Sequence, residues 1–218
     1  MKSNQNVSTE KIYLWNLIGN LAFSGSSVLF TLIVTRLTSP IEADSFSLAY
    51  GIAAILVVVG MFQVRSYQAT DVSFRHSFTS YFLARCISLT LMVLVFFPYL
   101  SISKIDLNER EKVAIIALYV LFRMCEAISD LFQGLFQQHE RLDIAGKSMT
   151  IRYTFSTIFL FILLYTTKSL VSSLTLLVVL NSLFVMGYDF VKARSFERID
   201  FSSIEFKSLL VDACSILK

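Results

Sequence analysis

Hydrophobic residues follow one another along this chain in runs too long to be the buried strip of a water-soluble helix. Residues 12–35 contain no charged side chain, and neither do residues 45–64. A helix needs about 20 predominantly apolar residues to cross the hydrocarbon core of a bilayer. The pattern therefore predicts membrane-spanning helices.

Applied to the whole sequence, this criterion predicts an all-α fold, a polytopic bundle of six transmembrane helices with a short C-terminal helix. The spans are expected at about residues 12–35, 45–65, 78–101, 112–136, 148–167 and 172–191, so that residues 1–192 form one membrane lobe. Asp44 is the expected N-cap of the second helix. Asn108, with Glu111 three residues later, is expected to cap the fourth. Arg152 lies near enough to the start of the fifth span to extend to the interface.

Residues 193–218 are predicted to be a cytoplasmic linker followed by the start of a seventh helix. Ser202 and Glu205 have the spacing of a capping box, and the apolar residues after them fall on one helical face. The sequence stops at Lys218 without a helix stop signal. We therefore expect a fragment, or a truncated product, of a longer protein.

The composition agrees with a membrane protein and argues against several other classes. Mean hydropathy is +0.66, and only 16% of the residues are charged. The net charge of +3 is spread along the chain, so nucleic acid is not an expected partner. The three cysteines, Cys86, Cys125 and Cys214, lack metal-site spacing, and no catalytic motif is present. We expect no enzyme activity, no cofactor and no metal.

Basic residues are unequally divided between the two ends of the predicted spans. Five lie on one side, namely Arg36, Lys104, Arg110, Lys112 and Lys168. Twelve lie on the side of the N-terminus, namely Lys2, Lys11, Arg65, Arg75, Arg141, Lys147, Arg152, Lys192, Arg194, Arg198, Lys207 and Lys218. Since basic loops favour the cytoplasm, both termini are predicted to be cytoplasmic.

The predicted fourth helix carries a polar stripe at intervals of three and four residues, which places its members on one face: Arg123, Glu126, Asp130, Gln133 and Gln137. A charged side chain at the centre of a membrane costs about 2.5 to 3.5 kcal/mol, so this face should turn toward other helices or a wet cavity. A structural interpretation pairs Arg123 with Glu126, and Asp130 with Arg85 of the third helix. A functional one has the same residues line a solvated path, where arginines contact an anionic headgroup or carboxylates exchange protons or sodium ions.

A second, uncharged stripe follows the first helix at the same intervals: Asn16, Asn20, Ser24, Ser27, Thr31 and Thr35. Such side chains hold helices together in lipid. Helix attachment is one interpretation of this stripe. Two polar stripes in one small bundle also favour a central cavity.

Several short motifs follow one another in a defined order along the chain. They are the polar series of residues 16–36, Phe46-Ser47-Leu48-Ala49, Tyr67-Gln68-Ala69-Thr70-Asp71, Gly134-Leu135-Phe136-Gln137-Gln138 and Arg141-Leu142-Asp143-Ile144-Ala145-Gly146-Lys147. By these motifs the sequence resembles the oligosaccharide flippase family of the multidrug/oligosaccharidyl-lipid/polysaccharide exporter superfamily. The likeness spans nearly the whole chain. The third motif would either shape the mouth of a cavity or end the second helix.

The resemblance implies the N-terminal lobe of a MATE-like exporter fold, in which two six-helix lobes rock around a central cavity. It implies flipping of a lipid-linked oligosaccharide across the bacterial cytoplasmic membrane for capsule, exopolysaccharide or O-antigen biosynthesis. Its implied partners are membrane lipid, the diphosphate headgroup of that substrate, and a second lobe or a second copy. Arginines would hold the diphosphate. The candidate cavity residues are, first, Arg123 and Arg85, and then Glu126, Asp130, Gln133, Asn16 and Asn20.

Two other functions stay open. A cation-coupled multidrug exporter would use Glu126 and Asp130 as carriers of protons or ions. A non-transporting membrane scaffold, or the product of a decayed gene, would account for the ending at Lys218.

Overall fold

The computed structural model describes residues 8–102, 109–199 and 211, and this part of the chain is all-α, as predicted. Helices α1 to α8 are Thr9–Leu37, Pro40–Met61, Val64–Thr70, Phe78–Ile102, Arg110–Gln138, Leu142–Thr167, Leu170–Phe184 and Val191–Ala193, with a π-helical segment, Val185–Phe190, between the last two. The predicted cap Asn108 and the predicted seventh helix lie outside the described residues.

Five helical segments of the described chain are long and apolar enough to cross a membrane: Thr9–Leu37, Pro40–Thr70, Phe78–Ile102, Leu142–Thr167 and Leu170–Ala193. The chain is therefore a membrane protein. The sixth long helix, α5, has the length of a span but carries the charged stripe. Its buried residues outnumber those of every other described helix, as expected for a helix that other helices surround.

Helix α5 is the centre of the bundle. It contacts α2, α3, α4, α6 and α7, whereas α1 lies at the edge and packs mainly on α6. Aromatic side chains close the gap between α1, α2 and α5: Phe30 contacts Phe122 with ring centroids 5.6 Å apart, and Phe46 contacts Tyr119 at 5.1 Å. All four rings are buried. The polar face of α5 is thereby fixed relative to its neighbours.

Two glycines bring the backbones of α1 and α6 into direct contact. A Cβ atom on Gly19 would lie 2.8 Å from the carbonyl oxygen of Gly146, and one on Gly146 would overlap the backbone of Trp15. Small residues of this kind let helices approach closely in lipid, where dispersion contacts replace the hydrophobic effect. Helices α1 and α6 therefore pack closely against each other.

The start of α2 differs from the prediction. Ser39, not Asp44, is the N-cap: its Oγ accepts from the Glu42 amide at 3.3 Å, and the Glu42 carboxylate accepts from the Ser39 amide at 3.2 Å. Pro40 follows in the first turn, where its missing N–H leaves no hydrogen bond unmade. Asp44 lies inside the helix, so its assignment as the cap was wrong.

Helix α6 begins at Leu142, six residues before the predicted start of the fifth span. Glu140 has a φ of 58°, and the Arg141 amide donates to the Phe136 carbonyl at 2.7 Å, which closes a short reversal after α5. The Arg141 side chain then donates to Asp143 at 2.8 Å in the first turn. Residues 142–147, which lie between the predicted fourth and fifth spans, are therefore helical.

Candidate functional site

The polar face of α5 meets α3 and α4 through one carboxylate. Asp130 accepts a hydrogen bond from Arg85 of α4 at 2.8 Å and one from Arg65 of α3 at 3.2 Å. The pair of Asp130 with Arg85 confirms the structural contact predicted from the sequence. Arg65 was placed at the end of the second predicted span and counted as a cytoplasmic charge, so its position in the bundle is new.

Arg85 also terminates α2. Its Nη1 donates to the carbonyl oxygens of Gly60 and Met61, both at 2.7 Å, and the hydroxyl of Ser88 donates to Gly60 at 2.8 Å. The last carbonyls of a helix have no partner in their own helix, and a cation stabilises them. Arg85 is 1% exposed, so its guanidinium links three helices and does not face an open space.

A break after α2 brings Arg65 to α5. Phe62 and Gln63 have φ values of 37° and 56°, in the left-handed region, and the short helix α3 begins at Val64. Arg65 then donates to Gln133 at 2.9 Å and to Gln137 at 3.3 Å. Gly134 makes the close approach possible, because a Cβ there would lie 2.5 Å from the amide oxygen of Gln68.

The network continues from Gln133 to the opposite side of α5. Gln133 donates to the Ser129 hydroxyl at 3.2 Å, and Ser129 donates to Asp189 at 2.6 Å. Ser148 of α6 donates to the other oxygen of Asp189 at 2.5 Å. Asp189 falls within the predicted sixth span, where the sequence indicated no functional role for it; it lies in the π-helical segment and is fully buried. A continuous polar path thus joins α3, α5, α6 and the π-helical segment.

A second charged group lies farther along α5. Arg123 and Glu126 form the ion pair predicted within this helix, and Glu126 is buried. Arg152 of α6, which was predicted to extend to the membrane interface, is instead 2% exposed. Its Nη2 donates to the Tyr153 hydroxyl at 2.8 Å. The prediction for Arg152 was wrong because α6 packs on α1 and α7, and the Arg152 side chain is buried within the bundle.

Two of the arginines counted as cytoplasmic charges, Arg65 and Arg152, therefore belong to the bundle. Without them the basic residues still divide ten to five in favour of the side of the N-terminus. The orientation with both termini in the cytoplasm stays a prediction.

The polar stripe of α1 does not join this network. Asn20 is exposed, and its amide donates to the Asn16 carbonyl at 2.7 Å, while the hydroxyls of Thr31 and Thr35 donate to carbonyls one turn earlier in α1. Helix α1 packs on α6 through another face, which includes Gly19 and Ser26. The expected role in attaching helices is therefore not fulfilled within the described chain.

The motif after α2 ends a helix. The Asp71 carboxylate accepts from the backbone amides of Arg75 and His76 and, at 2.8 Å, from the Tyr81 hydroxyl. Burial alone would raise the pKa of Asp71, but these hydrogen bonds outweigh it and hold the pKa below its ordinary value. Of the two interpretations of this motif, helix termination accounts for these contacts.

Among the described residues, the buried charged side chains are those of Arg85 and Arg152 together with Asp71, Glu126, Asp143 and Asp189. Arg65 and Arg123 keep 25% and 17% of their side-chain surface exposed. Accessible guanidinium groups attract anions, and the guanidinium fork matches paired phosphate oxygens. Within the described residues, no group of side chains could hold a metal ion.

Comparison with known proteins places this bundle in a family. A family model described as polysaccharide biosynthesis protein matches residues 11–211. The chain belongs to this family. Membership in the polysaccharide biosynthesis protein family confirms the resemblance inferred from the short motifs, and it assigns the chain a role in the synthesis or export of polysaccharide. No curated protein and no solved structure is similar enough to count as a match.

Proposed function

We propose that this polysaccharide biosynthesis protein is the N-terminal lobe of a flippase that moves a lipid-linked oligosaccharide across the bacterial cytoplasmic membrane. The observation that carries the proposal is that Arg65 and Arg123 keep part of their side-chain surface exposed, while their carboxylate partners, Asp130 and Glu126, are more deeply buried. Transport of a neutral molecule would not need these charges, which are costly in hydrocarbon. A diphosphate headgroup supplies anionic oxygens that the accessible guanidinium groups can bind.

The two partly exposed arginines, Arg65 and Arg123, offer two successive binding positions to such a headgroup. Arg65 lies beside Asp130, Gln133 and Gln137, and Arg123 lies about 10 Å farther along α5, at about 1.5 Å of rise per residue. Arg123 and Arg65 are the residues we assign to the diphosphate. Arg85 is held by Asp130 and by two carbonyls, so we assign it to positioning.

The polar stripe of α1 fits a boundary with a second lobe or a second copy of the chain. Helix α1 lies at the edge of the bundle, and Asn20, Ser24 and Thr35 are exposed on it. The side chains of Asn20 and Thr35 bond within α1, so this face tolerates lipid and water alike. A cavity that fills and empties during alternating access requires such a surface.

The test is export of surface polysaccharide in cells that depend on this protein. We expect Arg123→Gln combined with Glu126→Gln to reduce export about tenfold or more, since a hydrogen bond to a charged group contributes about 1.5–3 kcal/mol. Changing both residues avoids an unpaired Glu126 in the interior. Protein levels are measured by immunoblot of the membrane fraction.

Arg110→Gln is the matched control, because Arg110 begins the same helix but is exposed and outside the network. It should leave export unchanged. Normal export by the double variant, at normal protein level, would contradict the assignment of Arg123.

A second candidate function, cation-coupled export, is favoured by one residue. Glu126 and Asp130 are paired with arginines, but the hydrogen bonds to Asp189 come from the hydroxyls of Ser129 and Ser148, which suit either protonation state of the carboxyl. Asp189→Asn should then remove the dependence of transport on a proton gradient in vesicles. Unchanged dependence would exclude Asp189 as the proton carrier.

A further inference from the structure

An apolar crevice lies between α6 and α7, away from the hydrogen-bonded network that crosses α5. Its volume is about 430 Å³, and its lining includes Arg152, Phe155, Phe159, Leu180 and Leu183. Phe155 is 54% exposed and Leu183 is 61% exposed, so the crevice opens outward at the surface of the described bundle. In a membrane-spanning segment this opening faces hydrocarbon.

One wall of the crevice contains a cation with unused donors. Arg152 is almost completely buried, and its Nε and Nη1 have no hydrogen-bond partner. Neither nearby carboxylate accepts from these two nitrogens: Glu126 pairs with Arg123, and Asp189 accepts from Ser129 and Ser148. A buried charged group with unpaired donors is costly, which points to an acceptor supplied from outside the chain.

The depth of Arg152 indicates what kind of molecule could supply the acceptor. Lys147 and Trp15 mark the level of the membrane interface on α6, since both residue types favour the headgroup layer. The Lys147 ammonium lies 5.4 Å from the centroid of the Trp15 ring. Arg152 is five residues deeper along α6, or about 7–8 Å, and Phe159 is about 10 Å deeper still. The polar end of the crevice is thus near the headgroups, and its apolar end is among the acyl chains.

We propose that this crevice binds an anionic phospholipid of the surrounding membrane, with one acyl chain along Phe155 and Phe159 and a phosphate or ester oxygen at the guanidinium of Arg152. By the predicted topology the lipid belongs to the cytoplasmic leaflet. The site goes beyond the proposed flipping of a lipid-linked oligosaccharide, because this lipid stays bound and is not transported. Its test needs no transport.

Tryptophan fluorescence tests the proposal directly. The chain has one tryptophan, Trp15, so Trp15→Phe combined with Phe159→Trp leaves a single reporter in the crevice. Phe161→Trp in the same background is the matched control, since Phe161 is on α6 and 49% exposed but does not line the crevice. Each protein is reconstituted in phosphatidylcholine vesicles that contain a minor fraction of a lipid with brominated acyl chains. This brominated lipid is phosphatidylglycerol in one sample and phosphatidylcholine in the other. Bromine atoms quench the fluorescence of nearby tryptophan.

We expect brominated phosphatidylglycerol to bind next to residue 159 about fivefold more favourably than brominated phosphatidylcholine, the preference that one basic residue gives for an anionic lipid. At residue 161 the two lipids should quench equally. Arg152→Gln should abolish the preference at residue 159, and Arg152→Lys should keep most of it.

Equal quenching by the two lipids at residue 159, with Arg152 present, would overturn the proposal. So would the absence of quenching by either lipid at residue 159, because a protein surface would then cover the crevice. Both outcomes are measured with Arg152 intact, so the test stands even where Arg152→Gln does not fold.

Discussion

Helices α1 and α5 carry polar residues at the same three- and four-residue intervals, yet within the described chain only the α5 stripe forms hydrogen bonds to other helices. The α5 side chains reach other helices: Asp130 binds arginines of α3 and α4, and Gln133 links Arg65 to Ser129. The α1 side chains bond within their own helix, as Thr35 does with the Thr31 carbonyl at 2.8 Å. Spacing therefore locates a polar face, but it does not say what that face contacts.

The difference follows from the chemistry of the side chains. A hydroxyl can satisfy itself on the carbonyl one turn earlier, so Ser and Thr need no partner in lipid. A carboxylate is an acceptor only and must find a donor elsewhere. Charged stripes thus force contacts between helices, whereas hydroxyl stripes leave the surface free for a partner that comes and goes.

Removing the shared carboxylate should give the largest effect. Asp130→Ala leaves Arg85 buried without its ion-pair partner, which costs about 3–5 kcal/mol when one member of a buried pair is lost. Thermal unfolding of the purified protein in detergent measures the loss. Asn20→Ala on the α1 stripe is the control, and equal stability of the two variants would contradict the contrast between the helices.

A smaller loss is expected for Gln133→Leu. Gln133 joins Arg65 to Ser129, and a buried polar group left unpaired costs about 1–3 kcal/mol. The same unfolding assay applies. Unchanged stability would mean that Asp130 and Gln137 hold Arg65 in place without Gln133.

The stability contributed by Asp71, a carboxylate at the end of the bundle and outside the spans, should depend on pH. Because its pKa is lowered in the folded state, the stability it contributes is fully present above its ordinary pKa of 3.8 and is lost as the pH falls through the lower folded value. Asp71→Asn should therefore be less stable than the natural protein at pH 7, and the difference should shrink in acid. A difference that grows in acid would contradict the assignment.

The smallest effect on stability is expected from the α1 stripe. Thr31→Ala combined with Thr35→Ala should change the free energy of unfolding by no more than about 0.5 kcal/mol, since each hydroxyl contacts only its own helix. Polysaccharide export in cells is the second readout. Unchanged stability with reduced export would place this stripe at a functional boundary, and a large loss of stability would show a contact not seen in the described chain.

Most of the fold could be predicted because hydropathy and helical periodicity are local properties. The same holds for the pair of Asp130 with Arg85, since a charge within one span needs a partner in another. Arg65 could not be predicted: its position depends on Phe62 and Gln63, which adopt positive φ although neither is glycine. The sequence shows a glycine at position 134, but it does not show that α3 packs against this glycine.

Arg152 and Asp189 were missed for a related reason. A charge near the end of a span is satisfied equally well at the interface or by a buried partner, and the sequence does not distinguish the two. The packing of α1 and α7 against α6 is what buries the Arg152 side chain. The π-helical segment around Asp189 then sets which way that carboxylate turns.

The contact of Gly19 with Gly146 determines more than a distance between two helices. With no side chain at either position, α1 has a single rotation about its axis that seats it on α6, and this rotation aims Asn20, Ser24 and Thr35 outward. An alanine at Gly146 would force α1 to lift or to roll. The hydroxyl and amide groups would then point to a different neighbour, although none of them had been changed.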